Sequence, residues 1–175
     1  EDVRWTKKWD TVLSNPRENF YNWFEGAELN TCFNAVDRHV EEGRADQLAL
    51  IYDSPITGKQ RKFTYAELKA KVARFAGVLR AQGVEKGDRV IIYMPMVAQA
   101  VIAILATSRI GAVHSVVFGG FAANELAIRI DDAKPKVVLA SFDVIERAET
   151  MLEDFPRLKA IPWIATENVS LNQKD

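Results

Sequence analysis

The feature of this sequence that most constrains its fold is an alternation of short apolar runs with helix-patterned segments from residue 86 onward. Three apolar runs predict buried strands over residues 90–93, 112–118 and 136–139. The segments between them predict helices over 97–109 and 123–132. Strands that are apolar on both faces and alternate with helices favour a parallel sheet that is covered on both sides, with right-handed crossovers.

The same alternation continues towards residue 175. A further helix is predicted over about 144–154, and a further strand over 161–165. The last segment, NVSLNQKD, is polar and leads to no further element, so we expect the chain to be cut off there. The expected fold class is therefore α/β, with a parallel sheet and helices on both faces.

A β-hairpin and a polar arm are predicted upstream of this sheet. Residues 48–52 and 61–63 indicate the two strands of the hairpin, joined by the turn sequence SPITG. Thr64 and Glu67 have the spacing of a capping box, which starts the next helix. Residues 1–47 are rich in Trp, Asn and charge and indicate an irregular wrapping arm with short helices, one of them over 31–41. We expect two units, the arm over 1–47 and an α/β subdomain over 48–175.

Charge and cysteine content exclude several classes of function. The 23 Lys and Arg residues balance 24 Asp and Glu residues, so no basic excess is present to drive binding to nucleic acid or to an anionic membrane. Cys32 is the single cysteine, which excludes an internal disulfide and fits a reducing compartment. The uncharged stretch from Val90 to Ser108 is similar to a membrane span. Pro95 divides it into a strand and a helix, each too short for a bilayer core of about 30 Å.

The residues with the most direct chemical implication end the strand over 112–118. Phe118 is followed by Gly119 and Gly120, and a predicted helix comes next. Parallel sheets bind ligands at the carboxyl ends of their strands, and glycines allow a ligand to approach the backbone amides. The alternative, that the glycines only make a tight turn, stays open, because the GxGxxG and GxxxxGK[ST] motifs are both missing.

No catalytic constellation emerges from the other reactive side chains. His114 lies in a predicted buried strand, which favours a core histidine with satisfied hydrogen bonds. His39 follows Asp37 and Arg38 on a polar helix, which favours ion pairing or capping, and Cys32 is expected to pack. HExxH and GxSxG do not occur. We therefore expect neither a catalytic nor a metal-binding residue in this chain.

Two long segments resemble one enzyme family. WFEGAELNTCFNAVDRH and YMPMVAQAVIAILATSRIGAVHSVVFGGFAANELAIRIDDAKPKVV, in this order, are similar to the N-terminal domain of the AMP-forming acetyl-CoA and propionyl-CoA synthetases. The resemblance covers roughly residues 5–140, and NAVDRH is closer to the propionyl-CoA type. It implies part of an adenylate-forming enzyme. Such an enzyme activates a short carboxylic acid (acetate or propionate) with MgATP to an acyl adenylate, releases pyrophosphate and passes the acyl group to coenzyme A.

The resemblance also implies which functions this chain carries. The family's ATP loop ending in Pro-Lys-Gly, its adenine and magnesium motif and its lysine-bearing C-terminal domain do not occur in this sequence. We therefore expect an N-terminal fragment, inactive alone, whose partner is the missing downstream lobe with the ATP and Mg sites. The family's Phe-Gly-Gly turn lines the coenzyme A site, which assigns Phe118, Gly119 and Gly120 to coenzyme A binding. Arg147 is the candidate for the family's Gly-Arg pair, although the glycine is missing and the sequence departs from the pattern from Asp143 onward.

Two alternatives to a short-chain acyl-CoA synthetase stay open. One is a non-catalytic domain that binds a nucleotide-like ligand or docks on a partner, and the other is a synthetase module inside a larger multifunctional chain. The expected location is the cytoplasm, or the mitochondrial matrix in a eukaryote. No nucleic-acid or membrane partner is expected, and self-association stays open.

Overall fold

The computed structural model describes residues 3–118, 123–141 and 160–166. Its strands are β1 (Thr11–Arg17), β2 (Phe20–Glu25), β3 (Leu48–Ser54), β4 (Lys59–Thr64), β5 (Arg89–Met94), β6 (Val113–Phe118), β7 (Val137–Ser141) and β8 (Trp163–Thr166). Its helices are α1 (Arg38–Glu41), α2 (Tyr65–Ala81), α3 (Ala98–Arg109) and α4 (Ala123–Ala133), and a π-helical turn (Phe33–Asp37) precedes α1.

Four strands form a parallel sheet in the order β6-β5-β7-β8. Ile92 of β5 lies between Val116 of β6 and Leu139 of β7, which fixes the register of the three strands. The chain passes through α3 from β5 to β6 and then through α4 to β7, on the other side of β5. The predicted α/β fold, with a parallel sheet and helices on both faces, is confirmed.

The two faces of β5 contribute to two separate cores. Val90, Ile92 and Met94 belong to a cluster with buried side chains of α2 and α3. Ile91 and Tyr93 belong to a second cluster with buried side chains of α4. Because successive side chains of a strand point to opposite faces, this alternation places α2 and α3 on one face and α4 on the other.

The β3–β4 hairpin and the start of α2 follow local sequence signals. Tyr52 pairs with Arg61 across the antiparallel hairpin, as predicted. The hydroxyl of Thr64 accepts a hydrogen bond from the Glu67 backbone N–H at 3.2 Å, and the Glu67 carboxylate accepts one from the Thr64 N–H at 2.9 Å. The predicted capping box is confirmed, and it satisfies two backbone donors that would otherwise lack helical partners.

The uncharged stretch from Val90 to Ser108 forms a strand and a helix, as predicted. Pro95 lies in the turn between β5 and α3, where its carbonyl accepts a hydrogen bond of 2.8 Å from the Val97 N–H. Among the helices of the described residues, none is both long enough and apolar enough to cross a membrane.

The arm departs from the prediction over its first half. Its helix over 31–41 is confirmed, with the π-helical turn inside it. The remainder was predicted to contain short helices, but β1 and β2 form an antiparallel hairpin. Trp5, Trp9 and Phe24 contact one another there, with ring centroids 5.1–5.4 Å apart. Most side chains on both faces of this hairpin are exposed, so the alternation that normally signals a strand is missing. The predicted boundary at residue 47 stays a prediction.

Strand β6 is much more exposed than predicted. Val113, Val116 and Phe118 are 54%, 46% and 57% exposed, and only Val117 is buried. His114 is exposed too, so the prediction of a buried core histidine is wrong. β6 is exposed because it is the outermost strand of the sheet within the described residues and pairs with β5 along one side.

The buried carboxylate of Asp37 connects the arm to α3 through hydrogen bonds. Asp37 accepts two hydrogen bonds from the Arg109 guanidinium, at 2.9 Å from Nη1 and 2.7 Å from Nη2. Lys69 Nζ lies 3.4 Å from the same carboxylate, and the Asn30 amide donates to the Arg109 carbonyl at 3.0 Å. Hydrogen bonding to Asp37 raises the pKa of Arg109 above its usual value. Two segments far apart in sequence are thereby held in one geometry.

We expect Arg109→Met to lower the free energy of unfolding of the chain by about 2–4 kcal/mol, because the buried Asp37 carboxylate would keep Lys69 as its one cationic partner among the described residues. Urea denaturation followed by tryptophan fluorescence measures this loss. The matched control is Arg4→Met, which breaks exposed ion pairs with Glu41 and Glu42. Its expected cost is below about 1 kcal/mol. Equal losses in the two variants would show that the Asp37 pair has no special role.

Candidate ligand-binding edge of the sheet

The carboxyl ends of the four parallel strands lie along one edge of the sheet, which we call the carboxyl edge. Met94 of β5 pairs with Phe118 of β6, and Ser141 of β7 pairs with Thr166 of β8. Open parallel sheets bind ligands outside this edge, because backbone amides and helix N-termini converge there. The carboxyl edge is therefore the candidate ligand-binding site.

Phe118 is the one predicted site residue that the structure describes. It lies at the last position of β6 and is mostly exposed, beside the buried Met94 of β5. An exposed aromatic ring at this position can stack on a flat ligand such as a nucleobase. Gly119, Gly120 and Arg147 lie outside the described residues, as does the helix predicted over 144–154. Their roles stay predictions.

Ser141 is a further residue of the carboxyl edge, and no sequence motif marks it. Its side chain is fully buried at the end of β7, and its hydroxyl finds no hydrogen-bond partner in the part of the chain that the structure describes. A buried hydroxyl without a partner is costly, so it marks a strand end whose hydrogen bonding is incomplete. The sequence signal for Ser141 is an apolar strand whose last residue, at the carboxyl edge, carries a hydroxyl group.

Cys32 and His39 lie in packed or ring-contact positions and not beside each other as a reactive pair. Burial raises the pKa of the Cys32 thiol, although Arg109 Nη1, 3.6 Å from Sγ, opposes the shift. The pKa of His39 is lowered, first by burial and then by the nearby cations Arg44 and Arg38. The His39 ring contacts Tyr65, with centroids 4.5 Å apart. Among the described residues its side chain forms neither the ion pair nor the cap that we predicted. Cys32 packs, as predicted.

The side chains of the described residues do not fit a magnesium–ATP site. Within residues 3–118, 123–141 and 160–166, no three His, Cys, Asp or Glu side chains converge as metal ligands. The buried carboxylate of Asp37 is already engaged by Arg109 and Lys69. Because Mg²⁺ needs carboxylate or phosphate oxygens, no step that requires magnesium can be assigned to these side chains.

Two clefts lie away from the carboxyl edge, around the arm. One of about 600 Å³ is lined by Lys86, Arg109, Val113 and His114, at the amino end of β6. The other, of about 470 Å³, is lined by residues of the arm and by Asp37 and Arg109. Both surround the contact between the arm and α3, so their size alone does not identify a ligand site.

Comparison with known proteins shows the family. Residues 36–174 match the family model described as AMP-binding enzyme. The chain therefore belongs to the AMP-binding enzyme family. Residues 1–35 match the model described as the acetyl-coenzyme A synthetase N-terminus, which narrows the similarity to the acyl-CoA synthetases and confirms the resemblance described above.

Individual relatives agree with this assignment. Human acyl-CoA synthetase short-chain family member 3, mitochondrial, is 51% identical over 145 residues, which are 82% of this chain and 21% of that protein. Acetyl-coenzyme A synthetase of Magnetococcus marinus is 50% identical over 140 residues, 79% of this chain and 22% of the relative. The solved structure of acetoacetyl-CoA synthetase from Streptomyces lividans matches with a TM-score of 0.79 and 28% identity, over 99% of this chain and 27% of that one. The chain thus spans about a fifth of the length of these curated relatives.

The buried thiol gives a prediction about chemical reactivity. At pH 7, Cys32 in the folded chain should react with a maleimide at least about 100-fold more slowly than in the urea-unfolded chain. The thiol is inaccessible, and its raised pKa keeps the thiolate fraction small. Mass spectrometry of timed samples measures both rates. Fast labelling under native conditions would contradict the packed position of Cys32.

Proposed function

We propose that this chain is the N-terminal part of a short-chain acyl-CoA synthetase. The complete enzyme would convert acetate or propionate, ATP and coenzyme A into acyl-CoA, AMP and pyrophosphate. The observation that carries the proposal is the order of two family matches, the acetyl-coenzyme A synthetase N-terminus over 1–35 and the AMP-binding enzyme over 36–174. Relatives named as short-chain acyl-CoA synthetases and acetyl-coenzyme A synthetases share about half of the aligned residues.

The catalytic groups and the ATP and Mg²⁺ sites belong, in this proposal, to the remainder of the polypeptide. What supports this is the absence of a metal-ligand cluster from the described residues and the missing Pro-Lys-Gly loop. The downstream lobe is then the chain's main partner. We place the protein in the cytoplasm, or in the mitochondrial matrix if its source is a eukaryote. We also keep the two units proposed from sequence, an arm over 1–47 and an α/β subdomain over 48–175.

Coenzyme A binding is the function that we propose for the carboxyl edge. Coenzyme A carries a flat adenine ring and several phosphates, so its site needs a stacking surface, amide donors and a cation. Phe118, exposed at the end of β6, supports the first requirement. Gly119 and Gly120 follow it in sequence and would expose backbone amides, and Arg147 would supply the cation.

A pyrophosphate exchange assay tests the proposed activity. The full-length protein should incorporate labelled pyrophosphate into ATP when acetate or propionate is added, because formation of the acyl adenylate is reversible. The chain of residues 1–175 alone should show no acid-dependent exchange, because the family's ATP loop ending in Pro-Lys-Gly does not occur in its sequence. Exchange by the short chain, or its absence from the full-length protein with both acids, would overturn the proposal.

Substitution of Gly120 tests the coenzyme A site. In the full-length enzyme, Gly120→Val should raise the KM for coenzyme A by about 5- to 150-fold, the equivalent of about 1–3 kcal/mol of lost contact. The physical reason is that a β-branched side chain would stand where the ligand approaches the backbone. Pyrophosphate exchange should be largely unchanged, because adenylation does not need coenzyme A.

Two further variants separate a binding defect from a folding defect. Phe118→Ala should raise the same KM by stacking loss while changing the free energy of unfolding by less than about 1 kcal/mol, since the ring is exposed. Arg147→Ala should act in the same direction, more weakly. Equal losses of exchange and thioester formation in Gly120→Val, with folding intact, would place the turn in the adenylation site or the scaffold. No change in either would leave only a tight turn.

A further inference from the structure

A groove of about 300 Å³ lies between β4, α2 and α3, and its lining reaches Ala165 of the edge strand β8. The apolar part of the lining includes Phe75 and Val78 of α2 and Ile102 of α3. We call this feature the basic groove, because three cationic side chains also line it. The basic groove is separate from Phe118, since β6 and β8 are the two outermost strands, on opposite sides of the sheet.

The basic groove is built on a second stripe of α2. Lys71, Arg74, Phe75 and Val78 follow the spacing i, i+3, i+4, i+7, so they share one face of the helix. The face that packs on the sheet core is a different one, formed by the buried side chains Leu68, Val72, Ala76 and Leu79. The stripe is about 10 Å long at the usual helical rise. Phe75 is partly buried and packs against the edge of that core, whereas Val78 is exposed and lies outside it.

The described residues do not neutralise the charges of the basic groove. Arg61, Lys71 and Arg74 form no ion pair with any carboxylate among the described residues, and Lys71 Nζ lies instead 5.7 Å from the centre of the Phe63 ring. Glu67, one turn before Lys71, is held by its hydrogen bond to the Thr64 N–H. Three cations around an apolar floor form a surface that is complementary to acidic side chains next to apolar ones.

We propose that the basic groove is an internal interface, covered by another segment of the same polypeptide that presents acidic side chains beside apolar ones. Charge complementarity is the first argument. The second is that the chain spans about a fifth of the length of its curated relatives, and the groove borders the edge strand β8. A stripe of this length with cations from both β4 and α2 suits an extended or helical segment better than a small anion. The inference rests on the proposed function only in that the chain belongs to a longer synthetase.

Thiol accessibility in the full-length protein tests this proposal. Val78→Cys places a reporter in the basic groove, where the valine is 39% exposed in the described structure. Ile56→Cys in the β3–β4 turn is the matched control, since Ile56 is 74% exposed. Cys32 is buried and can stay, and cysteines outside this chain are replaced by serine. We expect the Val78→Cys thiol to react with a maleimide at least about 10-fold more slowly than the Ile56→Cys thiol.

Charge reversal tests the acidic character of the covering segment. Arg74→Glu, added to Val78→Cys, should raise the labelling rate at least about fivefold, because it repels the proposed carboxylates. Arg80→Glu is the control, since it reverses a charge on the same helix but does not line the groove. If circular dichroism shows that Arg74→Glu fails to fold, the Lys71→Gln/Arg74→Gln variant replaces it.

Each outcome decides the question independently of enzymatic activity. Equal labelling at Val78→Cys and Ile56→Cys would show an open groove and overturn the proposal. Protection that disappears on dilution would assign the groove to a second copy of the protein, and would also overturn it. Equal effects of Arg74→Glu and Arg80→Glu would remove the charge argument and the proposal with it. Slow labelling that only the Arg74 variant reverses supports the interface, whether or not the protein exchanges pyrophosphate.

Discussion

The burial of β5 on both of its faces is the constraint on which the rest of the structure depends. Alternate side chains of a strand point in opposite directions, so Ile91 and Tyr93 require cover on one face while Val90, Ile92 and Met94 require it on the other. Full burial of such side chains stabilises the fold by about 1.5–3 kcal/mol each, more than an exposed ion pair contributes. Helices on both faces, a parallel sheet and a defined carboxyl edge all follow.

Elements that depend on local patterns could be predicted from the sequence, and elements that depend on position could not. The capping box of Thr64 and Glu67 is local, as is the division of the uncharged stretch at Pro95. The exposure of β6 is not local, because an apolar run is the same in a central strand and in an edge strand. The pair of Asp37 and Arg109 joins residues 72 positions apart, and nothing in either segment signals the other.

The candidate site also has features that could be predicted from the sequence and features that could not. The position of Phe118 at the end of a parallel strand could be predicted, because strand and helix alternation places strand ends at one edge. Its proposed ligand could not, since an exposed ring and two glycines suit many flat anions. The resemblance to acyl-CoA synthetases supplied coenzyme A, and the family matches confirm that family without testing the residue roles. Ser141 escaped prediction because its burial and missing hydrogen-bond partner are visible only in three dimensions.

In the described part of the molecule the two hydrophobic cores are well filled, whereas the outer strands of the sheet are exposed. Both cores are filled around β5 and β7, whereas β6 and β8 each pair along one side only. Unpaired edge strands and exposed apolar side chains favour association with another segment or chain. At the β8 margin, the basic groove adds three cations without carboxylate partners among the described residues. An unpaired strand edge, an apolar floor and cations without carboxylate partners among the described residues together favour a cover of complementary charge. On the proposed assignment, a segment of the synthetase's remaining polypeptide provides that cover.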